Sequence, residues 1–205
     1  MLLDLISLKN KYNLNINGVI HVGAHYGQES YLYDELGIAK ENRHYFEPQP
    51  MVFNILKENI KNNGNLYNFA LGNEEKMVEM NIEYSNNSQS SSILEPKIHI
   101  KQYPHIVFSN KIEIPMKRLD DVNITNCNFI NIDVQGYEME VFKGGLNTLK
   151  NIDYIISEVN RDELYENCVM IEELDAFLLK LNFIRVETSW DGVTWGDALY
   201  IKNNG

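Results

Sequence analysis

The chain has 205 residues, 44% apolar and 23% charged, a composition that suits a folded globular protein and excludes disorder over most of its length. Its 18 Lys and Arg against 29 Asp and Glu give a formal charge of −11, which speaks against nucleic acid and anionic membrane surfaces as partners. Two cysteines, Cys127 and Cys168, are too few for a disulfide framework and read as free thiols in a reducing, cytoplasmic setting.

Leu2, Leu3, Leu5, Ile6 and Leu8 predict a short amphipathic helix over 2–12. Asp4 interrupts this apolar segment and no basic stretch precedes it, against a secretory signal. No stretch approaches the ~20 continuous apolar residues of a membrane span. Residues 18–24 read as a buried strand ending in glycines, and 27–37 as a helix with Gly37 at its C-terminus. A second strand over 43–48 is stopped by Pro48 and Pro50. A helix over 51–62 and a third strand over 65–71 follow.

The middle of the chain changes character. Residues 77–83 alternate apolar with polar, as in a half-exposed strand. A polar run from Ser85 to Ser92 and an irregular stretch over 95–110 precede another strand over 111–116. Regular alternation resumes with a strand over 129–134, a helix over 137–149, a strand over 153–159 and a helix over 172–181. Strands over 183–188 and 197–202 close the chain. This alternation predicts an α/β fold, a mostly parallel sheet with helices on both faces. No linker is visible, so 1–205 reads as one domain with 72–117 inserted in it.

In such sheets a ligand lies beyond the carboxyl ends of the strands. The first strand ends in Gly23-Ala-His-Tyr-Gly27, where glycines permit a sharp turn and close backbone approach. A tight turn alone would explain the same residues, since the full G-x-G-x-x-G is absent. The second strand ends at Glu47, 24 positions beyond Gly23, near the offset at which a carboxylate accepts hydrogen bonds from a ribose diol. The third ends in Ala70-Leu-Gly72, where a flat base could pack. The next two end in Asp133-Val-Gln-Gly-Tyr-Glu138 and Glu158-Val-Asn160. Asp133, Glu158 and Asn160 are oxygen ligands that would suit Mg²⁺, a reading not favoured because carboxylate clusters are unspecific. His21 and His25 straddle a strand and a loop, so no zinc pair is expected.

These residues carry a resemblance. His21-Val-Gly-Ala-His25, Phe46-Glu-Pro48, Ala70-Leu-Gly72, Ser90-Ser-Ser92, Arg118-Leu-Asp120, Asn131-Ile-Asp-Val-Gln-Gly-Tyr-Glu138, Ser157-Glu-Val-Asn160 and Gly196-Asp-Ala-Leu-Tyr200 run in order through nearly the whole chain. In this it resembles the FkbM-type S-adenosylmethionine-dependent methyltransferases. The resemblance implies a class I methyltransferase fold, a Rossmann-like three-layer sandwich whose seven-stranded sheet has its last strand antiparallel. It implies S-adenosylmethionine as cofactor and S-adenosylhomocysteine as product. His21, Gly23, Ala24, His25 and Gly27 would then wrap the methionine end. Glu47 and Pro48 would hold the ribose, and Ala70 and Leu71 would flank the adenine. Asp133 would sit beside the amino acid part or the reacting centre. His21 stands where many members carry an acidic residue, so the cofactor's ammonium group needs another partner.

A hydroxyl acceptor also needs a base. Asp133 and Glu158 are the first candidates, His25 the second, and Glu138 a further one. An imidazole at His25 could equally cap a loop. Ser90, Ser91, Ser92, Gln135, Tyr137, Asn160 and Trp195 are the candidate acceptor residues, since hydroxyls, amides and indole faces suit sugars. Ser/Asn clusters are also ordinary solvated loops. The expected reaction is O-methylation of a sugar hydroxyl in carbohydrate modification. A non-sugar small molecule, a catalytically impaired cofactor-binding module and an NAD-dependent enzyme are the rivals. Exposed aromatics would support a homodimer.

Overall fold

The structure, a computed structural model, describes residues 1–203, so the last two positions of the expected 1–205 domain lie outside the described residues. Helix α1 (Leu5–Tyr12) starts at Asp4, whose carboxylate accepts the Ile6 and Ser7 N–H groups at 3.0 and 3.3 Å. Strand β1 (Val19–Val22), helix α2 (Ser30–Glu35), β2 (Arg43–Phe46), α3 (Pro50–Ile60) and β3 (Asn65–Tyr67) follow. The buried Arg43 guanidinium bonds the Ile38 and Tyr33 carbonyls and, at 2.6 Å, Asp34, and so clamps the end of α2 to β2.

A small second sheet comes next: β4 (Ala70–Leu71), β5 (Lys76–Glu83) and β6 (Phe108–Lys117), with the one-turn helix α4 (His99–Gln102) between the last two. The main sheet resumes with β7 (Phe129–Ile132), α5 (Glu138–Lys143), β8 (Tyr154–Asn160), α6 (Ile171–Leu179), β9 (Phe183–Asp191) and β10 (Trp195–Lys202). Its order is β3-β2-β1-β7-β8-β10-β9. All neighbours pair in parallel except β10, which runs antiparallel to both β8 and β9. This is the expected seven-stranded architecture.

Strand periodicity divides the core into two layers. Ile20, Ile130, Ile155 and Tyr200 face one side, under α5 and α6, with Val141, Phe142, Leu174 and Leu178. Val19, Phe129, Ile156 and Leu199 face the other, under α1, α2 and α3, with Leu5, Tyr33, Leu56 and Ile60. Two predicted elements differ. The strand over 65–71 is two strands: the Asn68 side chain donates to the Glu47 and Pro48 carbonyls at 2.9 and 3.1 Å, and the chain turns out of the main sheet there. The helix over 137–149 ends at Lys143, followed by Gly144, which packs against the Gly72 carbonyl so closely that a Cβ would lie 1.9 Å from it. No helix among the described residues is long and apolar enough to cross a membrane.

Candidate functional site

The strand exits build the floor of one cavity. The Gly23 and Ala24 N–H groups both donate to the Phe46 carbonyl, at 3.0 and 2.9 Å, so the chain leaves β1 hugging β2. Gly23 has φ +77°, and a Cβ there would lie 1.8 Å from the Asp133 carbonyl oxygen. Only glycine permits that approach. Beyond these exits opens a cavity of about 590 Å³, lined from β1, β2, β4, β7, β8 and β10. Its size lies in the usual range for small-ligand sites.

Glu47 closes β2 in a buried position. Its two carboxylate oxygens accept the His25 N–H at 3.0 Å and the Gln49 N–H at 2.9 Å. Burial nonetheless pushes its carboxyl up to about 7, with those two bonds opposing the shift.

Asp133 and Glu158 meet across the ends of β7 and β8. Gln135 donates to both, 2.7 Å to Asp133 Oδ1 and 2.5 Å to Glu158 Oε2. Burial first, and then the Asp133 carboxylate, raise Glu158 well above the usual carboxylate range. Gln135 is itself held by Tyr165, whose single hydroxyl proton lies between Gln135 Oε1 at 2.9 Å and the Ser90 carbonyl at 2.7 Å. Glu138 stands behind the cavity lining. Its Oε1 accepts the Val134 and Gly136 N–H groups at 3.0 and 3.2 Å and shapes the turn that presents Asp133.

His21 is buried. Tyr33 lies 3.1 Å from its Nδ1 and also accepts from Asn131 at 3.0 Å. This leaves Nε2 toward Glu29, 4.0 Å away. Burial lowers the His21 pKa, so the imidazole is neutral. Glu29 and Asp197 line the same part of the cavity, and Asp197 pairs with Glu158 across β10 and β8. The Leu2 N–H donates to Asp197, and the Met1 amino group lies 3.7 Å from Glu29. Sequence reasoning missed both carboxylates. Asp197 was legible in principle, inside the Gly196–Tyr200 segment on the strand that must pair beside Glu158. Glu29 carries no such signal.

The insertion forms the roof. The run from Ser85 to Ser92 is only partly solvated: Ser85, Asn87 and Gln89 are exposed, while Ser88, Ser90, Ser91 and Ser92 are buried. The buried Glu83 carboxylate organises it by accepting the Asn86 and Ser90 N–H groups at 2.6 and 3.2 Å. His25 ties it to the glycine turn. Gln28 donates to His25 Nδ1 at 2.9 Å, so the Nε2–H donates to the Asn87 carbonyl at 2.7 Å. His25 thus acts as a strut, with both nitrogens engaged.

Of the residues singled out from sequence, His21, Gly23, His25, Glu47, Pro48, Ala70, Leu71, Ser90, Ser91, Asp133, Gln135, Tyr137, Glu158 and Trp195 line this one cavity. Ala24, Gly27, Ser92 and Asn160 do not. Ala24 is packed in the core, and a Cβ at Gly27 would meet the Leu56 and Ile60 side chains of α3 within 3 Å. Ser92 Oγ braces the floor by donating to the Gln135 carbonyl at 2.8 Å. The Asn160 amide is buried without a hydrogen-bond partner and is not among the residues lining the cavity.

The chain was compared with known proteins. The family model described as the methyltransferase FkbM domain matches residues 21–185. A curated relative, the 2-O-methyltransferase NoeI of Sinorhizobium fredii, is 28% identical over 155 residues, covering 68% of this chain and 64% of its own length. The crystal structure of methyltransferase FkbM from Methylobacillus flagellatus aligns with a TM-score of 0.60 at 14% identity, over 90% of this chain and 43% of that one. Magnesium protoporphyrin IX methyltransferase from Synechocystis, with bound SAM, aligns at 0.54 with 9% identity, over 97% of this chain and 76% of that one. The chain therefore spans less than two thirds of the first two proteins, and these folds are class I methyltransferase folds. The match over most of the length, together with the sheet order, makes this chain a member of the FkbM methyltransferase family.

Proposed function

We propose that the chain is an S-adenosylmethionine-dependent O-methyltransferase and that its acceptor is a hydroxyl of a saccharide. The observation that carries this reading is the Asp133–Gln135–Glu158 cluster at the floor of a cavity that also holds Glu47 at the exit of β2. The activity named for the 2-O-methyltransferase relative supports the hydroxyl.

The residues fit the cofactor. Each Glu47 oxygen accepts one backbone N–H and keeps a free lone pair, so the carboxylate can take both hydroxyls of a ribose. Phe46, Phe69, Leu71 and Ile132 give an apolar wall for the adenine. Glu29, Asp133 and Asp197 supply negative charge toward a cationic ligand, and Glu29 with Asp197 takes the task that neutral His21 cannot. When bound, the cofactor supplies an electrophilic methyl group on a sulfonium.

The chain's own residues do the rest. The roof from Ser85 to Ser91 and the Trp195 face exclude water and align the acceptor, and alignment alone supplies ~7–11 kcal/mol of barrier reduction in such displacements. Burial and the neighbouring Asp133 carboxylate favour the protonated form of Glu158. The acceptor hydroxyl gives its proton to that pair at Asp133, with Gln135 fixing both carboxyls in place. Free, buried Cys127 and Cys168 support a cytoplasmic setting.

The test is release of S-adenosylhomocysteine from S-adenosylmethionine over a panel of methyl glycosides and nucleotide sugars. Turnover on at least one saccharide is expected, falling about 10²–10⁴-fold in Asp133→Asn, the usual worth of a general base. Turnover only on non-sugar hydroxyls would overturn the acceptor class.

A further inference from the structure

We infer that His99 binds the acceptor: its unpaired ring nitrogen hydrogen-bonds a hydroxyl of the saccharide beside the one that is methylated. The inference rests on the saccharide reading above and names a residue that reading does not use. His99 opens α4 in the inserted segment, lines the cavity, and is 3% exposed.

Its Nδ1 is buried with no hydrogen-bond partner. Tyr45, Glu138 and Asn160 also carry such orphaned atoms, but none of the three lines the cavity. Among the described residues, His99 is therefore the one cavity-lining residue that carries such an orphaned side-chain atom. A buried ring nitrogen without a partner destabilises the free protein. A ligand that completes the bond accounts for its presence.

The imidazole is held for that role by aromatic rings. Tyr103, Tyr165 and Phe108 lie with ring centroids 5.0, 5.3 and 5.4 Å away. They fix the ring without satisfying it. Burial lowers the His99 pKa, so the imidazole stays neutral, with one donor and one acceptor nitrogen. A sugar hydroxyl, which both donates and accepts, suits either. The surroundings connect this position to the chemistry. Tyr165, in contact with His99, holds Gln135, which bridges Asp133 and Glu158. Trp195 donates to the Tyr103 hydroxyl at 3.0 Å and presents an indole to the same cavity. Trp195, His99 and the Asp133–Glu158 pair all line this one cavity.

The experiment compares wild type with His99→Phe, His99→Leu and His99→Gln in three measurements. The first is thermal melting of the free protein. Removing an unsatisfied polar group leaves Tm unchanged or raises it in Phe or Leu. A loss of more than about 5 °C in both, a large change for a domain of this size, would make His99 a structural residue and overturn the inference. The second is calorimetric titration with S-adenosylhomocysteine. A Kd within threefold of wild type is expected, and a tenfold loss would move His99 to the cofactor half.

The third is methyl transfer to the glycosides and nucleotide sugars of the panel. His99→Phe should raise acceptor KM at least tenfold with kcat changed less, and His99→Gln should recover most of it. Equal KM in wild type and His99→Phe on a methylated saccharide overturns the inference alone. A wild type that methylates no saccharide overturns the acceptor reading, and the inference with it.

Discussion

Gly23 and Glu47 carry the floor of the site, and each makes a separate demand on the fold. At Gly23 the backbone adopts φ +77° with the Asp133 carbonyl in the place of a Cβ. Gly23→Ala must therefore pull β1 and β7 apart at their ends. The expected loss is about 2–4 kcal/mol of stability in a urea titration, within the range of strained backbone substitutions. Glu47 sets a pH dependence. Its carboxyl is raised from 4.5 in the unfolded chain to about 7 in the folded one. Below 4.5 both states hold the proton. As pH rises through 4.5 to 7 the unfolded chain releases it first, so stability falls, by about 3 kcal/mol when complete. Lowered His21 acts the other way, costing stability as pH drops below 6.5. Glu47→Gln removes only the first effect. The melting temperature of wild type relative to Glu47→Gln should thus decline from pH 5 to pH 8, and a rise would contradict the burial argument. Gly23 and Glu47 were legible because each ends a strand whose apolar run announces it. Glu29 and His99 were not, since their meaning comes from a loop and an insertion whose packing no local pattern encodes, while Asp197 required reading which strand pairs beside Glu158.

The glycine turn, the serine run and the turn after β7 lock together as elements. Glu83 holds Asn86, Ser90 and, at 3.4 Å, the Ser85 hydroxyl, while His25 and Gln49 hold the Asn87 and Ser88 carbonyls. Glu83→Ala should speed amide hydrogen exchange at Asn86 and Ser90 at least tenfold and leave the β1 and β7 amides unchanged. Uniform acceleration would mean the roof has no independent stability. The turn after β7 works through Gln135. Gln135→Ala unties Asp133 from Glu158, and methyl transfer should fall 10–100-fold with S-adenosylhomocysteine affinity within threefold. A parallel loss of both would assign Gln135 to the cofactor. Strand-helix alternation exposed most of these elements in the sequence, because period-two and period-3.6 burial are local signals. The Ser85–Ser92 run looked solvated for the opposite reason. Its burial depends on Glu83, whose own side chain is fully buried behind it. The 65–71 strand divides at Asn68 through bonds to residues twenty positions away.

At the scale of the molecule, the strand order reverses between the parallel neighbours β1 and β7, and the cavity opens where α/β sheets bind ligands, beyond the carboxyl ends of the strands. Ala70, Leu71 and Met80 of the β4-β6-β5 sheet line that opening beside residues of the parallel core, so both sheets contribute to the cavity wall. The most direct measurement is calorimetric titration of S-adenosylhomocysteine into wild type and Glu47→Ala, with NAD⁺ as control. Saturable binding to wild type, weakened at least tenfold in Glu47→Ala and absent for NAD⁺, is the expected result. Absence of binding to wild type, or binding indifferent to Glu47, would contradict the cofactor site described above.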